Sequence, residues 1–252
     1  MRRDKMKLLA SDYDGTLNHN GIDESKKNMI KKWQNAGNVF ALISGRGPEN
    51  VLQIYREKKF PCDFLIANNG AIIFRPDGTV ISDVRCDGSI AVPILKLLSE
   101  NGCPFGDVQT AFPCTVHFDK ADCTESDDYT LENVPDVPYF NQISTRLPDF
   151  ESAAEVTETI RRNFGESMNP LQNGICIDIV SRDMNKAKGL YLLRDYLGID
   201  SDDIITVGDN VNDIDMLREF RSYAMANGVD CVKEIADYVT EGISELIEKE
   251  MQ

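Results

Sequence analysis

Five short polar clusters in this 252-residue chain carry side chains able to do chemistry. They are Asp12-Tyr13-Asp14-Gly15-Thr16, Ser44-Gly45-Arg46, Asn68-Asn69-Gly70, Asn185-Lys186, and Gly208-Asp209 through Asn212-Asp213. Asp12, Asp14 and Asp209 offer hard carboxylate oxygens, which suit Mg²⁺ better than zinc. Three carboxylates gathered without a cation repel one another, so a metal is expected beside them. One carboxylate can attack phosphorus in line while a cation neutralises the transferred group. A second, two residues along and on the same side of an extended segment, can protonate the leaving oxygen and then activate water. A hydroxyl, a lysine and backbone amides at helix N-termini can hold the remaining phosphate oxygens.

Each cluster alone has a plainer reading. Asp and Gly dominate ordinary turns, and Asn-Asn-Gly is more often a turn than a site. Ser44 could merely satisfy backbone amides, and Arg46 could be a surface ion pair. Asp209 to Asp213 lacks the Gly and the later Glu of a calcium loop. Gly45-Arg46-Gly47 begins like a dinucleotide fingerprint, but Asn50 stands where the third Gly belongs, and no P-loop is present. His19 and His117 are the only histidines and do not stand at metal-ligand spacing.

The elements that must position these clusters alternate along the chain. Leu8 to Ala10 is a short apolar run ending at Ser11-Asp12. A helix is predicted over 24–36, with Asp23 as its N-cap and Met29, Ile30 and Trp33 on one face. Val39 to Ile43 and Phe64 to Ala67 are continuous apolar runs, as expected of strands buried on both faces. Pro48 suits the first turn of the following helix. Pro76-Asp77-Gly78, between Ala71 to Phe74 and Val80-Ile81, signals a hairpin. A helix over 187–197 should stop at Gly198. Strands are expected at Ile204 to Val207, Tyr223 to Ala226 and Tyr238-Val239. The fold class is therefore α/β, a Rossmann-like, doubly wound parallel sheet. Four of the clusters fall at carboxyl ends of its strands, where such sheets bind ligands, and Asn185-Lys186 opens a helix. Residues 83–183 read differently, with helices near 91–100 and 151–163 and alternating strands such as Thr115 to Phe118 and Cys176 to Val180. This stretch is read as an α+β cap domain inserted into a core of residues 1–82 and 184–252, its sheet antiparallel with one wet face. The acidic stretch from Asp119 to Glu132 is read as a solvated face.

Bulk properties narrow the classes. A net charge of −15 repels phosphate backbones and anionic lipids, so neither nucleic-acid nor membrane binding is expected. The same charge is a puzzle for an anionic substrate, unless a metal and local cations reverse the field. No run approaches a membrane span, and Leu8 to Ala10 is too short for a signal peptide. A cytoplasmic location is expected. The seven cysteines include no Cys-x-x-Cys pair and are expected to be mostly buried and reduced.

Taken in order, Asp12-x-Asp14-Gly-Thr, Ser44-Gly-Arg46, Lys186 and Gly208-Asp209-Asn-Val-Asn212-Asp213 resemble the four motifs of the haloacid dehalogenase superfamily. Within it the chain resembles the Cof-type sugar phosphatases, whose large cap lies between the second and third motifs. The resemblance spans essentially the whole length, the cap matching only in size and style. It implies Asp12 as nucleophile and metal ligand, and Asp14 as acid/base, binding metal through its backbone carbonyl. It implies phosphate binding by Ser44, Gly45 and Lys186, and places Arg46, Asn69 and Asn212 near the substrate. Asp209 would be the third protein ligand of Mg²⁺, and Asp213 would orient metal-bound water. The family's lysine is usually followed by Gly, whereas here Ala187 follows Lys186 and Gly189 follows Lys188. Spacing to Leu190, Leu193 and Ile199 favours Lys186.

The expected activity is hydrolysis of a small phosphate monoester, such as a hexose, pentose, flavin or pyridoxal phosphate, by a monomer or weak homodimer. Two alternatives use the same residues: a phosphomutase, which returns the phosphoryl group to the sugar, and a catalytically silent metal-binding regulatory module. A P-type ATPase relative would need membrane helices and Thr at position 14.

Overall fold

A computed structural model of the chain describes residues 5–111, 115–119, 128–130 and 136–252. Most of the acidic stretch from Asp119 to Glu132 lies outside them, as do Cys114 and Cys123.

The first segment runs β1 (Leu8–Asp12), α1 (Glu24–Asn35), β2 (Val39–Ile43), α2 (Pro48–Lys58), β3 (Phe64–Ala67), β4 (Ile72–Phe74) and β5 (Val80–Asp83). Asp23 caps α1 by accepting from the Lys26 amide at 2.8 Å, and Ile30 and Trp33 are its buried face. Pro48 opens α2, where a missing N–H has no partner to lose. The β4–β5 turn is closed by the Arg75 amide on the Thr79 carbonyl at 2.8 Å.

The inserted segment runs β6 (Cys86–Asp87), α3 (Ala91–Glu100), β7 (Phe105–Gln109), β8 (Thr115–Asp119), β9 (Asp128–Tyr129), β10 (Tyr139–Phe140), β11 (Gln142–Arg146), α4 (Phe150–Phe164), β12 (Met168–Asn173) and β13 (Cys176–Ser181). The last segment runs α5 (Lys186–Leu197), β14 (Ile204–Gly208), α6 (Ile214–Glu219), β15 (Arg221–Met225), α7 (Asp230–Ile235), β16 (Tyr238–Thr240) and α8 (Ile243–Glu250). Gly198 ends α5 in the left-handed region, at φ +67°.

Contacts divide the chain into two units: residues up to Arg46, Asn50–Ser82 and Asn185 onward form one, and Gly47–Glu49 with Asp83–Met184 form the other. The first is a mixed α/β body on an eight-stranded sheet, ordered β16-β15-β14-β1-β2-β3-β4-β5. The six strands from β16 to β3 are parallel neighbours, and β4 runs antiparallel to β3. β1 and β14 are buried at every position, which is why their sequences show no alternation. The chain proceeds from β1 to β2 on one side and places β14 on the other, so the strand order reverses at β1. A crevice beyond the carboxyl ends of β1 and β14 is the place such a sheet offers a ligand. Leu8, Ile43, Leu190, Leu193 and Met216 belong to one cluster under this rim, each fully buried. A side chain of that size contributes about 1.5–3 kcal/mol when buried.

One contact sets α5 against the sheet. Gly70 (φ +103°) and Gly189 lie back to back, and a Cβ on Gly189 would stand 2.5 Å from the Gly70 Cα.

The second unit has a six-stranded sheet, ordered β12-β13-β11-β7-β8-β9, antiparallel except between β8 and β9. Ile94, Leu95 and Leu98 of α3 and Val156 and Ile160 of α4 pack with Val108, Ile143, Ile177 and Ile179. The residues between them, Asp107, Gln109, Gln142, Ser144 and Asp178, point to the other face by the two-residue period of a strand. β6 and β10 pair as a separate two-stranded ribbon.

Two expectations need correction. Cys86 and Cys103 are buried and Cys62 is half-buried, but Cys176 and Cys231 are exposed, so burial is not the rule among the described cysteines. Nor does the chain stay extended after Asp12. Tyr13–Leu17 forms one tight turn, with Asp14 at φ −77°, ψ 123° and Gly15 at φ +78°.

Candidate active site

Asp12 ends β1, at the point where the strand order reverses, and is 6% exposed. Its Oδ1 accepts from Lys186 Nζ at 2.6 Å. The same ammonium donates to Asp213 Oδ1 at 2.5 Å. Lys186 is the first residue of α5, whose N-cap Asn185 accepts from the Lys188 amide at 2.9 Å and donates to Asp215 Oδ2 at 2.7 Å. Lys188 is exposed and stands over the Tyr191 ring, so Lys186 is the lysine at the aspartates.

Asp213 is fully buried, and its Oδ2 accepts from the Asp209 amide at 3.0 Å and the Asn210 amide at 3.1 Å. These bonds shape the loop after β14 and aim the Asp209 side chain. Asp209 Oδ1 accepts from Thr16 Oγ1 at 2.6 Å, and the Asn227 amide donates to the Gly15 carbonyl at 3.0 Å. Gly15 admits this approach, because a Cβ there would lie 2.3 Å from Asp209 Oδ2.

Asp12, Asp209 and Asp213 each offer an oxygen within 4.8 Å of the others. Burial pushes the Asp12 carboxyl well above the usual carboxylate range; Lys186 pulls it down, and Asp213 and Asp209 push it further up. Burial likewise raises Asp209, against the Thr16 hydrogen bond, with Asp213 adding to the rise. Burial alone would lower Lys186, but Asp12 and Asp213 outweigh it and hold the ammonium above its ordinary value. Of the three carboxylates, Asp12 and Asp213 thus share the Lys186 ammonium, and Asp209 is held by the neutral Thr16 hydroxyl. That shortfall of positive charge, on all-oxygen donors, fits a hard divalent cation.

The second motif lies along β2 and β3. The Ser44 amide donates to the Ile66 carbonyl at 2.9 Å, and the Ser44 carbonyl accepts from the Asn69 amide at 3.0 Å. Ser44 is buried, and its Oγ accepts from the Arg46 amide at 3.2 Å. Asn68 and Asn69 are buried with φ of +50° and +52°, a left-handed pair that asparagine tolerates better than most residues. The Arg46 guanidinium grips Asp14 with a two-point fork, Nε to Oδ2 at 2.7 Å and Nη2 to Oδ1 at 2.9 Å. Its Nη1 donates to Asn50 Oδ1 at 3.1 Å.

The structure therefore joins all five clusters in one unit. Asp12, Lys186, Asp209 and Asp213 meet directly. Ser44, Arg46 and Asn69 are linked through backbone bonds. Gly45 stands half-buried between Ser44 and Arg46, and Asn212 half-buried on the turn Val211–Asp213. Asp14 is not part of the carboxylate triad: Asp12 turns to Lys186, and Asp14, half-exposed, turns to Arg46. Two contributors were missed by sequence reasoning. The role of Thr16 in holding Asp209 was signalled only by its place in the first motif. The Arg46–Asp14 pair carried no local signal, because the two residues are 32 positions apart.

Known proteins resemble this chain over most of its length. The profile of the haloacid dehalogenase-like hydrolase family matches residues 9–245. A 5-amino-6-(5-phospho-D-ribitylamino)uracil phosphatase of Bacillus subtilis is 26% identical, the match covering 92% of this chain and 91% of that protein. A phosphatase of the same name in Escherichia coli is 24% identical, over 97% of this chain and 96% of its own length. Among solved structures, a haloacid dehalogenase-like hydrolase from B. subtilis superposes with a TM-score of 0.81 at 22% identity, covering 96% of this chain and 99% of that one. The HAD subclass IIB sugar phosphatase BT4131 superposes with a TM-score of 0.80 at 20% identity, covering 98% and 99%. The chain belongs to the haloacid dehalogenase-like hydrolases. No helix among the described residues is long and apolar enough to cross a membrane.

Proposed function

We propose that the chain hydrolyses the phosphate monoester of a small, hydroxyl-rich alcohol, with Mg²⁺, through a phospho-aspartate on Asp12. The observation that carries this reading is the approach of Asp12, Asp209 and Asp213 to within 4.8 Å of one another, with the Lys186 ammonium bridging Asp12 and Asp213. The substrate class follows the relatives, two of which are phosphatases of a phosphorylated ribityl compound, and the structural neighbour BT4131, a sugar phosphatase.

Asp12 is the nucleophile. One of its oxygens bonds to phosphorus while the bond from phosphorus to the ester oxygen breaks with its electron pair. That oxygen takes a proton from Asp14 and leaves as the alcohol. Water then attacks phosphorus and gives a proton to Asp14, and the electron pair of the broken bond returns to the Asp12 carboxylate as phosphate departs. Ester and water become alcohol and phosphate, and both aspartates recover their starting states. Lys186 offsets negative charge at Asp12 throughout. The Ser44 hydroxyl, its oxygen already accepting from the Arg46 amide, has its proton to donate to a phosphate oxygen. Gly45, Asn69 and Asn212 line the substrate side. Asp12, Asp209 and the Asp14 carbonyl would hold the metal, with Asp213 bracing the loop that carries Asp209, and the metal would supply positive charge against the phosphoryl oxygens.

The test is a phosphate-release screen of small phosphate esters, run with wild type and Asp12→Asn. The variant should fold normally and lose at least about 1000-fold in turnover, since an amide oxygen is a poor nucleophile toward phosphorus. EDTA should abolish turnover and Mg²⁺ restore it. Asp12→Asn with wild-type activity, or full activity in chelator, removes the mechanism and leaves the fold standing.

A further inference from the structure

Arg46 has the geometry of a fixed part rather than a free surface cation. Its amide is tied to Ser44 Oγ at 3.2 Å, and its carbonyl accepts from the Asn68 amide at 3.0 Å. Its Nη1 is tied to Asn50 at 3.1 Å on the first turn of α2, and its guanidinium carbon lies 5.8 Å from the centre of the Tyr13 ring. Asp14 is the opposite case. It sits one residue before Gly15, in a turn that leaves helical geometry at both positions, and its side chain is 55% exposed. A carboxylate so placed would sample several staggered rotamers. The fork on Arg46 selects one of them. It occupies two of the roughly four acceptor positions of a carboxylate, leaving positions on each oxygen to exchange a proton with a reacting group.

We infer that Arg46 is a positioning residue for the proposed acid/base: its two-point grip holds the Asp14 carboxylate in the one orientation from which a proton passes to the leaving oxygen, and Arg46 itself does not bind substrate. This inference rests on the phosphatase reading above and differs from the sequence expectation, which put Arg46 on the substrate. The alternatives predict different kinetics. A residue that binds phosphate is needed equally for every ester. A residue that positions the acid is needed only where the leaving oxygen requires a proton.

The experiment uses the full chain with Mg²⁺ and compares p-nitrophenyl phosphate, phenyl phosphate and glycerol phosphate. The p-nitrophenolate group departs without a proton, phenolate benefits from one, and the glycerol oxygen requires one. Because kcat/KM reports steps only up to departure of the alcohol, it isolates the acid from the later attack of water. In Arg46→Ala, kcat/KM should fall about 100-fold on glycerol phosphate and less than about 3-fold on p-nitrophenyl phosphate, with phenyl phosphate between them, the contribution of a positioned acid being of order 100-fold or more. Arg46→Lys, which keeps the charge but cannot make the fork, should fall between wild type and Arg46→Ala on glycerol phosphate. Asp14→Asn should show the same dependence on leaving group, and the double variant should be no slower than Asp14→Asn alone. Equal losses on all three esters, or losses that multiply in the double variant, overturn the inference. Wild type is assayed first against Asp12→Asn on p-nitrophenyl phosphate. Failure there removes the phosphatase reading itself and is distinguishable from failure at Arg46.

Discussion

At Gly15 a positive φ of +78° coincides with an approach to Asp209 that leaves no room for a Cβ. The two demands have different consequences. The backbone conformation alone costs an L-residue about 1–2 kcal/mol. The collision is with a carboxylate whose other oxygen is already held by Thr16, so the aspartate is displaced with its loop. Gly15→Ala should therefore lose about 1–3 kcal/mol of stability in urea melts and, out of proportion to that, at least about 100-fold in turnover, as expected when a reacting group is misplaced by about 1 Å. Turnover matching wild type would show that this close approach is idle. Residue spacing made much of the site legible. Lys186 and Lys188 stand two positions apart on α5, a rotation of about 200°, so only one can face the aspartates, and the apolar spacing to Leu190 and Leu193 identified which. The partner of Arg46 was not legible, because a guanidinium on the loop after β2 selects among carboxylates by geometry that no local pattern records. The exposed cysteines were misjudged because general preference for burial says nothing about a particular strand end such as Cys176.

Among the elements, α8 shows how one side chain holds a helix to the sheet. Ile243, Leu246 and Ile247 are its buried face, and Glu250 closes its last turn. Glu250 Oε1 accepts from the Tyr223 hydroxyl at 2.5 Å and Arg221 Nε at 2.7 Å, and Oε2 lies 3.4 Å from Lys7 Nζ. Burial works to raise the Glu250 carboxyl, but the Tyr223 and Arg221 hydrogen bonds, with Arg221 and Lys7 charges, hold it below its ordinary value. A carboxyl lowered in the folded state adds stability above its unfolded value of about 4.3 and loses it as pH falls through the folded value. Glu250→Gln should thus lower stability by about 1.5 kcal/mol at neutral pH, the typical worth of hydrogen bonds to a charged group, and the gap from wild type should close in acid. Thermal melts between neutral and acidic pH decide this; a gap that persists or widens in acid contradicts it. β2 was legible because burial on both faces leaves a continuous apolar run, and α1 because Asp23 caps it and Ile30 and Trp33 mark its one buried face. β6 and β10 were not, since strands of two residues have no period to detect.

For the whole molecule, the net charge of −15 confronts an anionic ester with a repulsive far field. The cations described at the site, Lys186 and Arg46, are already committed to aspartates. Screening becomes effective within about 10 Å at 0.1 M ionic strength, so added KCl should raise kcat/KM for a doubly charged ester at saturating Mg²⁺. A fall with salt would mean that local attraction outweighs the far field. The back-to-back glycines of the sheet rim and α5 bear on tolerance to change. With no side chain between them, the spacing of two backbones is set by hard contact and has nothing compressible to absorb an added methyl. Bulk introduced at Gly70 or Gly189 would be passed undamped to the helix's opening turn, moving its ammonium off the two carboxylates it bridges. The placement of that charge is thus fixed by main chain rather than by side-chain choice, and the solvent side of the same helix is free to vary around it.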